Sequence, residues 1–99
     1  MFDVVVFAGT TEGCEICSFL AKNKVSVLAC VATDYGSKSL KEGEYLKIHA
    51  GRLNGEEMEN LLKELSPGLV LDATHPYAAE VTENIRAACK NTGFSYQRV

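Results

Sequence analysis

Residues 72–77 read Asp-Ala-Thr-His-Pro-Tyr and concentrate more chemistry than any other stretch of the chain. Asp72, His75 and Tyr77 could bind a carboxylate-rich ligand or move protons. Pro76 restricts His75 to extended backbone and suits a first helical turn, so the segment can hold these groups rigidly. A plainer reading has Asp72 and Thr74 capping the helix that follows, with His75 packed locally.

Three other groups are of the type that binds phosphate and ribose. Gly9-Thr10-Thr11-Glu12-Gly13 separates an apolar run from a helical pattern. Small residues there let backbone approach a phosphate, the helix start offers unpaired N–H groups, and Thr10 and Thr11 add hydroxyls. The stretch lacks one glycine of the full G-x-G-x-x-G pattern, and it is equally a plain strand–helix turn with Thr11 as N-cap. Glu12 suits the helix dipole or a ribose hydroxyl better than a phosphate. Asp34 lies about 20 residues past Gly13, where dinucleotide folds place an acid on the ribose. Thr33, Ser37 and Lys38 could equally cradle a 2′-phosphate, which would mean NADPH; the plainer reading is a solvated loop. Gly51-Arg52 brings a guanidinium fork suited to phosphate, or a surface arginine with no such duty.

The elements that must position these groups follow from periodicity. Residues 4–8 and 25–31 are short apolar runs, as in strands buried on both faces. Residues 12–22 carry Ile16, Phe19 and Leu20 at helical spacing. Residues 32–43 read as a loop with room for a short helical turn, and 45–49 as a shorter third strand. A helix over 55–65 starts near Asn54 or Gly55 and turns Met58, Leu61, Leu62 and Leu65 to one side. Pro67-Gly68 stops it, and 69–71 form a fourth strand. A helix over about 77–91 faces Val81, Ile85, Ala88 and Cys89 inward, and a fifth strand begins at Phe94.

Alternating strands and amphipathic helices predict an α/β fold, a Rossmann-like parallel sheet of about five strands flanked by helices. Right-handed crossovers make 3-2-1-4-5 the simplest strand order. In that order the unusual residues all converge on the carboxyl edge of the sheet, beside the switch point between the first and fourth strands.

Ninety-nine residues suffice for a single domain spanning 1–99. The net charge of −3, with no basic cluster, argues against nucleic acid as a partner. No apolar run approaches the roughly 18 residues of a membrane span, and no signal peptide opens the chain, which points to a cytoplasmic protein. Cys14 and Cys17 form a lone CxxC without a second pair or a His at zinc spacing, so free thiols are expected, and no metal. Cys30 and Cys89 sit where buried thiols are ordinary.

Taken in order, Ala8-Gly9-Thr10-Thr11-Glu12-Gly13-Cys14, Ala32-Thr33-Asp34-Tyr35-Gly36, Gly51-Arg52-Leu53 and Asp72-Ala73-Thr74-His75-Pro76-Tyr77-Ala78 resemble the motifs of the precorrin-6A reductase family, including its cobalt-precorrin-6A counterpart. The likeness runs the length of the chain. Ala8 stands where the family has glycine, and Cys14 where it usually has arginine. The resemblance implies NADPH- or NADH-dependent reduction of a precorrin-6A tetrapyrrole to precorrin-6B, in corrin biosynthesis. It also implies a second Rossmann-like domain beyond Val99, with this chain as the cofactor-side half and the macrocycle between the two. Cofactor contacts are then expected from Gly9, Thr10, Thr11, Glu12, Gly13, Thr33, Tyr35, Gly36, Gly51, Arg52 and Thr74. Asp72, His75 and Tyr77 are the catalytic candidates, with His75, Tyr77 or solvent giving the proton. Two other readings stay open: another short Rossmann reductase or epimerase, and a nucleotide-sensing module without catalysis.

Overall fold

A computed structural model describes residues 2–32, 40–75 and 78–99. The elements run β1 (Val4–Ala8), α1 (Thr11–Lys22), β2 (Val27–Val31), β3 (Leu46–Ala50), α2 (Gly55–Leu65), β4 (Leu69–Ala73), α3 (Ala79–Thr92) and β5 (Tyr96–Arg98). All strand pairings are parallel and the order is β3-β2-β1-β4-β5, as expected.

The central strands carry the core. Every residue of β1 and β2 is buried, which is why their sequences are apolar without alternation. Val4, Val6, Ala8, Ala29 and Val31 face α1, where Cys17 is fully enclosed. Val5, Phe7, Leu28, Cys30 and Val70 face the other way, against Met58 and Leu62 of α2 and Ile85, Ala88 and Cys89 of α3. Enclosing a side chain such as Leu62 or Ile85 contributes about 1.5–3 kcal/mol.

Local chemistry sets the helix limits. Asn54 and Glu57 form a capping box: Glu57 N–H donates to Asn54 Oδ1 at 2.8 Å, and Asn54 N–H donates to Glu57 Oε1 at 2.9 Å. α2 ends at Ser66 in the left-handed region, and α3 ends at Gly93 with φ 84°.

Several boundaries and faces differ from expectation. Phe19, on the expected apolar stripe of α1, is 65% exposed; Gly13 and Cys17 make the contact instead, so small residues bring this helix close to the sheet. Val81 is 38% exposed rather than turned into the core. β3 runs one residue later than expected, β4 two residues further, and β5 starts at Tyr96 because Phe94 packs on the core. β4 extends through Asp72, a residue that reads as a turn former, because β5 supplies polar partners for it. Among the described residues no helix is long and apolar enough to cross a membrane.

Candidate functional site

The carboxyl ends of the strands open into a cleft of about 590 Å³ on the α2–α3 side of the sheet. Its floor is Phe7, Ala8, Cys30 and Val31. Gly9, Gly51, Arg52, Asn54, Thr74 and His75 come from the loops, and Met58, Val81 and Asn84 from the helices. Parallel sheets of this kind bind ligands at this edge, beside the strand-order switch between β1 and β4. The volume falls within the few-hundred to 1,000 Å³ range, roughly, of small-molecule sites.

The glycine loop is built by hydrogen bonds that leave its threonines unequal. Thr10, not Thr11, is the N-cap of α1: its Oγ1 accepts from Gly13 N–H at 3.1 Å. The same hydroxyl donates its one proton to the Ala73 carbonyl at 3.2 Å, so it is committed to the loop. Thr11 is the first helical residue, and helix geometry leaves the Thr11 and Glu12 amides without an intrahelical acceptor. Gly13 is buried against the sheet: a Cβ there would lie 3.0 Å from Ala73 Cβ and 3.1 Å from Ala8 Cα. Its glycine therefore answers to helix–strand packing, the task of the last glycine in dinucleotide folds. A Cβ on Gly9 would meet Thr74 Cα at 3.2 Å, so this glycine lets the first and fourth loops touch. Gly9 N–H donates to Ala73 O at 3.2 Å, sealing that contact.

Asp72 does not reach the cleft. Its side chain is fully buried beside β5. Thr74 donates to Asp72 Oδ1 from its hydroxyl at 2.6 Å and its amide at 3.1 Å. Tyr96 donates from its hydroxyl to Asp72 Oδ2 at 2.8 Å, and Arg98 Nη1 lies 3.2 Å from Oδ1. Burial alone would push this carboxyl up, but the hydrogen bonds from Thr74 and Tyr96 more than offset it and hold it below the usual carboxylate range. Burial and the neighbouring carboxylate push the Tyr96 phenol up to about 12, so it stays a protonated donor. The capping role for Asp72 and Thr74 is not the observed one. The N-cap of α3 is Ala78, with no side-chain hydrogen bond, because Asp72 and Thr74 turn toward each other and β5 instead.

Of the expected contact residues, the structure gathers Gly9, Gly51, Arg52, Thr74 and His75 at the cleft. Thr10, Gly13 and Asp72 support its walls, and exposed Thr11 and Glu12 sit at the helix start behind them. Thr33, Asp34, Tyr35, Gly36, Ser37, Lys38, Pro76 and Tyr77 lie outside the described residues. Two residues that the sequence reading missed buttress the site from β5 without lining it: Tyr96 and Arg98. Their signal was a charged residue inside an apolar strand, which must find partners on a neighbouring strand. Tyr96 and Arg98 stand two apart on β5, hence on one face, in register with Val70 and Asp72.

Charges at the cleft are mixed. Arg52 is exposed at the end of β3, while Glu57 and Glu80 lie along the helix side. Glu57 is held in its capping box. The four cysteines are free thiols, with Cys17, Cys30 and Cys89 buried. Among the described residues no group of three or more His, Cys, Asp or Glu could hold a metal ion.

Comparison with known proteins places this arrangement. A cobalt-precorrin-6A reductase from Methanothermobacter thermautotrophicus is 35% identical over 96 residues, 96% of this chain and 32% of that protein. A solved structure described as CobK precorrin-6A reductase superposes with a TM-score of 0.83 at 27% identity, covering 99% of this chain and 38% of that one. The Bordetella bronchiseptica enzyme WbmH, solved in complex with NAD+, shares the fold, with a TM-score of 0.75 at 19% identity over 94% of this chain and 36% of its own. The chain thus spans about a third of the length of the relatives it matches, a smaller share than the half expected from sequence. The family model described as precorrin-6x reductase CbiJ/CobK matches residues 3–99, and the chain belongs to that family.

Proposed function

We propose that this chain is the cofactor-side segment of an NAD(P)H-dependent reductase acting on a precorrin-6A or cobalt-precorrin-6A macrocycle. One observation carries the reading: in a member of this family, the cleft opens over the strand ends at the switch point and is lined by Gly9, Gly51, Arg52, Thr74 and His75. The bound cofactor would supply the hydride.

The chain's own groups then have distinct tasks. Gly9 presents bare backbone to the cleft, and the unpaired amides of Thr11 and Glu12 favour an anionic group at the start of α1. Arg52 offers a two-pronged donor for a phosphate from the opposite side. Thr74 and His75 form the wall toward the substrate, and His75 or Tyr77 delivers the proton that balances the hydride. Asp72 takes no part in that transfer, since its carboxylate is enclosed and held ionised by its donors. We also place the protein in the cytoplasm, where four free thiols are expected to persist, and expect the tetrapyrrole to be enclosed by a further domain.

The test is a segment exchange. The matching residues of the M. thermautotrophicus relative are replaced by this chain, and oxidation of NADPH and NADH is followed with cobalt-precorrin-6A. The reading expects cofactor oxidation only when the tetrapyrrole is present. A folded chimera that binds neither cofactor and turns over nothing contradicts it.

A further inference from the structure

The two loops that face the cleft are one mechanical unit. Gly9 N–H and Thr10 Oγ1 both donate to the carbonyl of Ala73, at 3.2 Å each. Thr74, the next residue, packs so closely on Gly9 that an added Cβ would lie 3.2 Å from Thr74 Cα. Whatever fixes the end of β4 therefore also fixes the glycine loop.

The end of β4 is fixed from β5. Arg98 Nη1 reaches the Asp72 carbonyl and the Thr74 carbonyl, both at 3.0 Å, besides the Asp72 carboxylate. Tyr96 holds the other carboxylate oxygen at 2.8 Å. Asp72 in turn holds Thr74 by amide and hydroxyl, and Thr74 Oγ1 lies 3.3 Å from Thr82 Oγ1 of α3. The cluster thus spans β4, β5 and α3, and every buried side-chain polar atom among the described residues has a partner. So complete a network at a core edge is costly to disturb, because each deleted donor strands a desolvated acceptor.

We propose that Tyr96 and Arg98 are positioning residues for the cofactor cleft. Neither lines the cleft itself; Arg98 meets its wall only at the Thr74 carbonyl, and the pair sets the separation of Gly9, Thr74 and His75 through Asp72 and the β4 carbonyls. This rests on the cleft being the nucleotide site. Without the Tyr96 hydroxyl, the Asp72 carboxylate rotates toward its remaining donors and takes Thr74 with it. The Ala73 carbonyl moves, and the two cleft loops lose their common anchor. Sites loosened in this way lose affinity although no contact residue has changed.

The experiment uses the chain with NADPH as probe, measuring the dissociation constant by titration and stability by urea unfolding. Tyr96→Phe and Arg98→Lys are compared with Val27→Ala, a fully buried change at the amino end of β2, away from the cleft. Tyr96→Phe is expected to weaken NADPH about fivefold or more, and to shift the ligand-free amide resonances of Gly9, Thr74 and His75. Val27→Ala lowers stability and leaves both the affinity and those resonances unchanged. Should Tyr96→Phe not fold, Arg98→Lys, which keeps the charge but not the planar fork, carries the same expectation. If the parent binds NADPH and both cluster variants bind it within about twofold, the positioning role is wrong and the cleft reading stands. If the folded parent binds no NADPH at millimolar concentration, both fall.

Discussion

Replacing Gly13 by alanine separates two roles that a glycine loop can have. If the glycine serves phosphate approach, the variant folds normally and loses the cofactor. The structure assigns the other role. The new Cβ would sit 3.0 Å from Ala73 Cβ, 3.1 Å from Ala8 Cα and 3.2 Å from Ala8 Cβ. Ala8 and Ala73 are paired in adjacent central strands, each 4% exposed, so neither can retreat. Overpacking of this kind costs about 1–3 kcal/mol. Alanine regains part of the roughly 1 kcal/mol by which it exceeds glycine inside a helix. The balance is a loss of about 1–2 kcal/mol, or a Tm lower by about 5–15 °C for a chain of this size. Urea and thermal unfolding followed by circular dichroism read it, and cofactor titration well below the new Tm reads the site. Affinity should stay within about threefold of the parent, because the methyl points at the sheet and an effect on the cleft would have to be indirect. A variant as stable as the parent, or a stable one that has lost the cofactor tenfold, would refute the packing argument. Gly9→Ala is the complement. Its methyl would press on Thr74 Cα and the His75 nitrogen, which line the cleft, so the loss should fall mainly on affinity.

Two further outcomes follow from the buried groups. The Asp72 carboxyl is held below its ordinary range in the folded state, so its ionised form contributes stability above the unfolded-state value of about 3.9, and this is lost as pH falls through the folded value. Urea unfolding from about pH 5 downward should show a slope, steepest below about 3.9, that Asp72→Asn reduces by up to about 1.4 kcal/mol per pH unit; an unchanged slope would mean that another carboxylate carries it. The thiols should divide one against three. Burial pushes all four thiols up, Cys17 and Cys30 to about 12 and Cys89 to about 11, but Cys14 alone is only partly covered. A disulfide reagent at pH 8 should modify Cys14 slowly but well ahead of the others, which react only on unfolding; two equally fast thiols would point instead to chemistry in the CxxC pair.

Much of the fold was legible because its signals are local. The apolar runs of β1 and β2 need burial on both faces, and the start of α2 expected near Asn54 or Gly55 is where Asn54 caps it. Strand order followed from handedness and short connections, without any knowledge of contacts. What stayed hidden depended on distance in sequence. The β5 partners of Asp72, Tyr96 and Arg98, lie 24 and 26 residues away, so an aspartate destined for a strand reads as a turn or a catalyst. Thr10 takes the cap because its hydroxyl also meets Ala73, 63 residues on, and nothing local ranks it above Thr11. Phe19 has the right spacing for a core face, but a helix drawn close by Gly13 and Cys17 leaves it outside. Of the catalytic candidates, His75 is at the cleft, Asp72 is behind it, and Tyr77 lies outside the described residues.

If a nicotinamide dinucleotide lies in the cleft over the strand ends, as proposed, the loops there should report it. The isotopically labelled chain is titrated with NADPH and with NADH and followed residue by residue by NMR. Shifts are expected at Gly9, Thr11, Glu12, Gly51, Arg52, Thr74 and His75, from three loops at once. Resonances at the amino ends of the strands, such as Val27 and Leu69, should stay in place. A folded chain whose loop resonances do not move at millimolar concentrations of either cofactor, or whose shifts cluster away from the carboxyl edge, would contradict it.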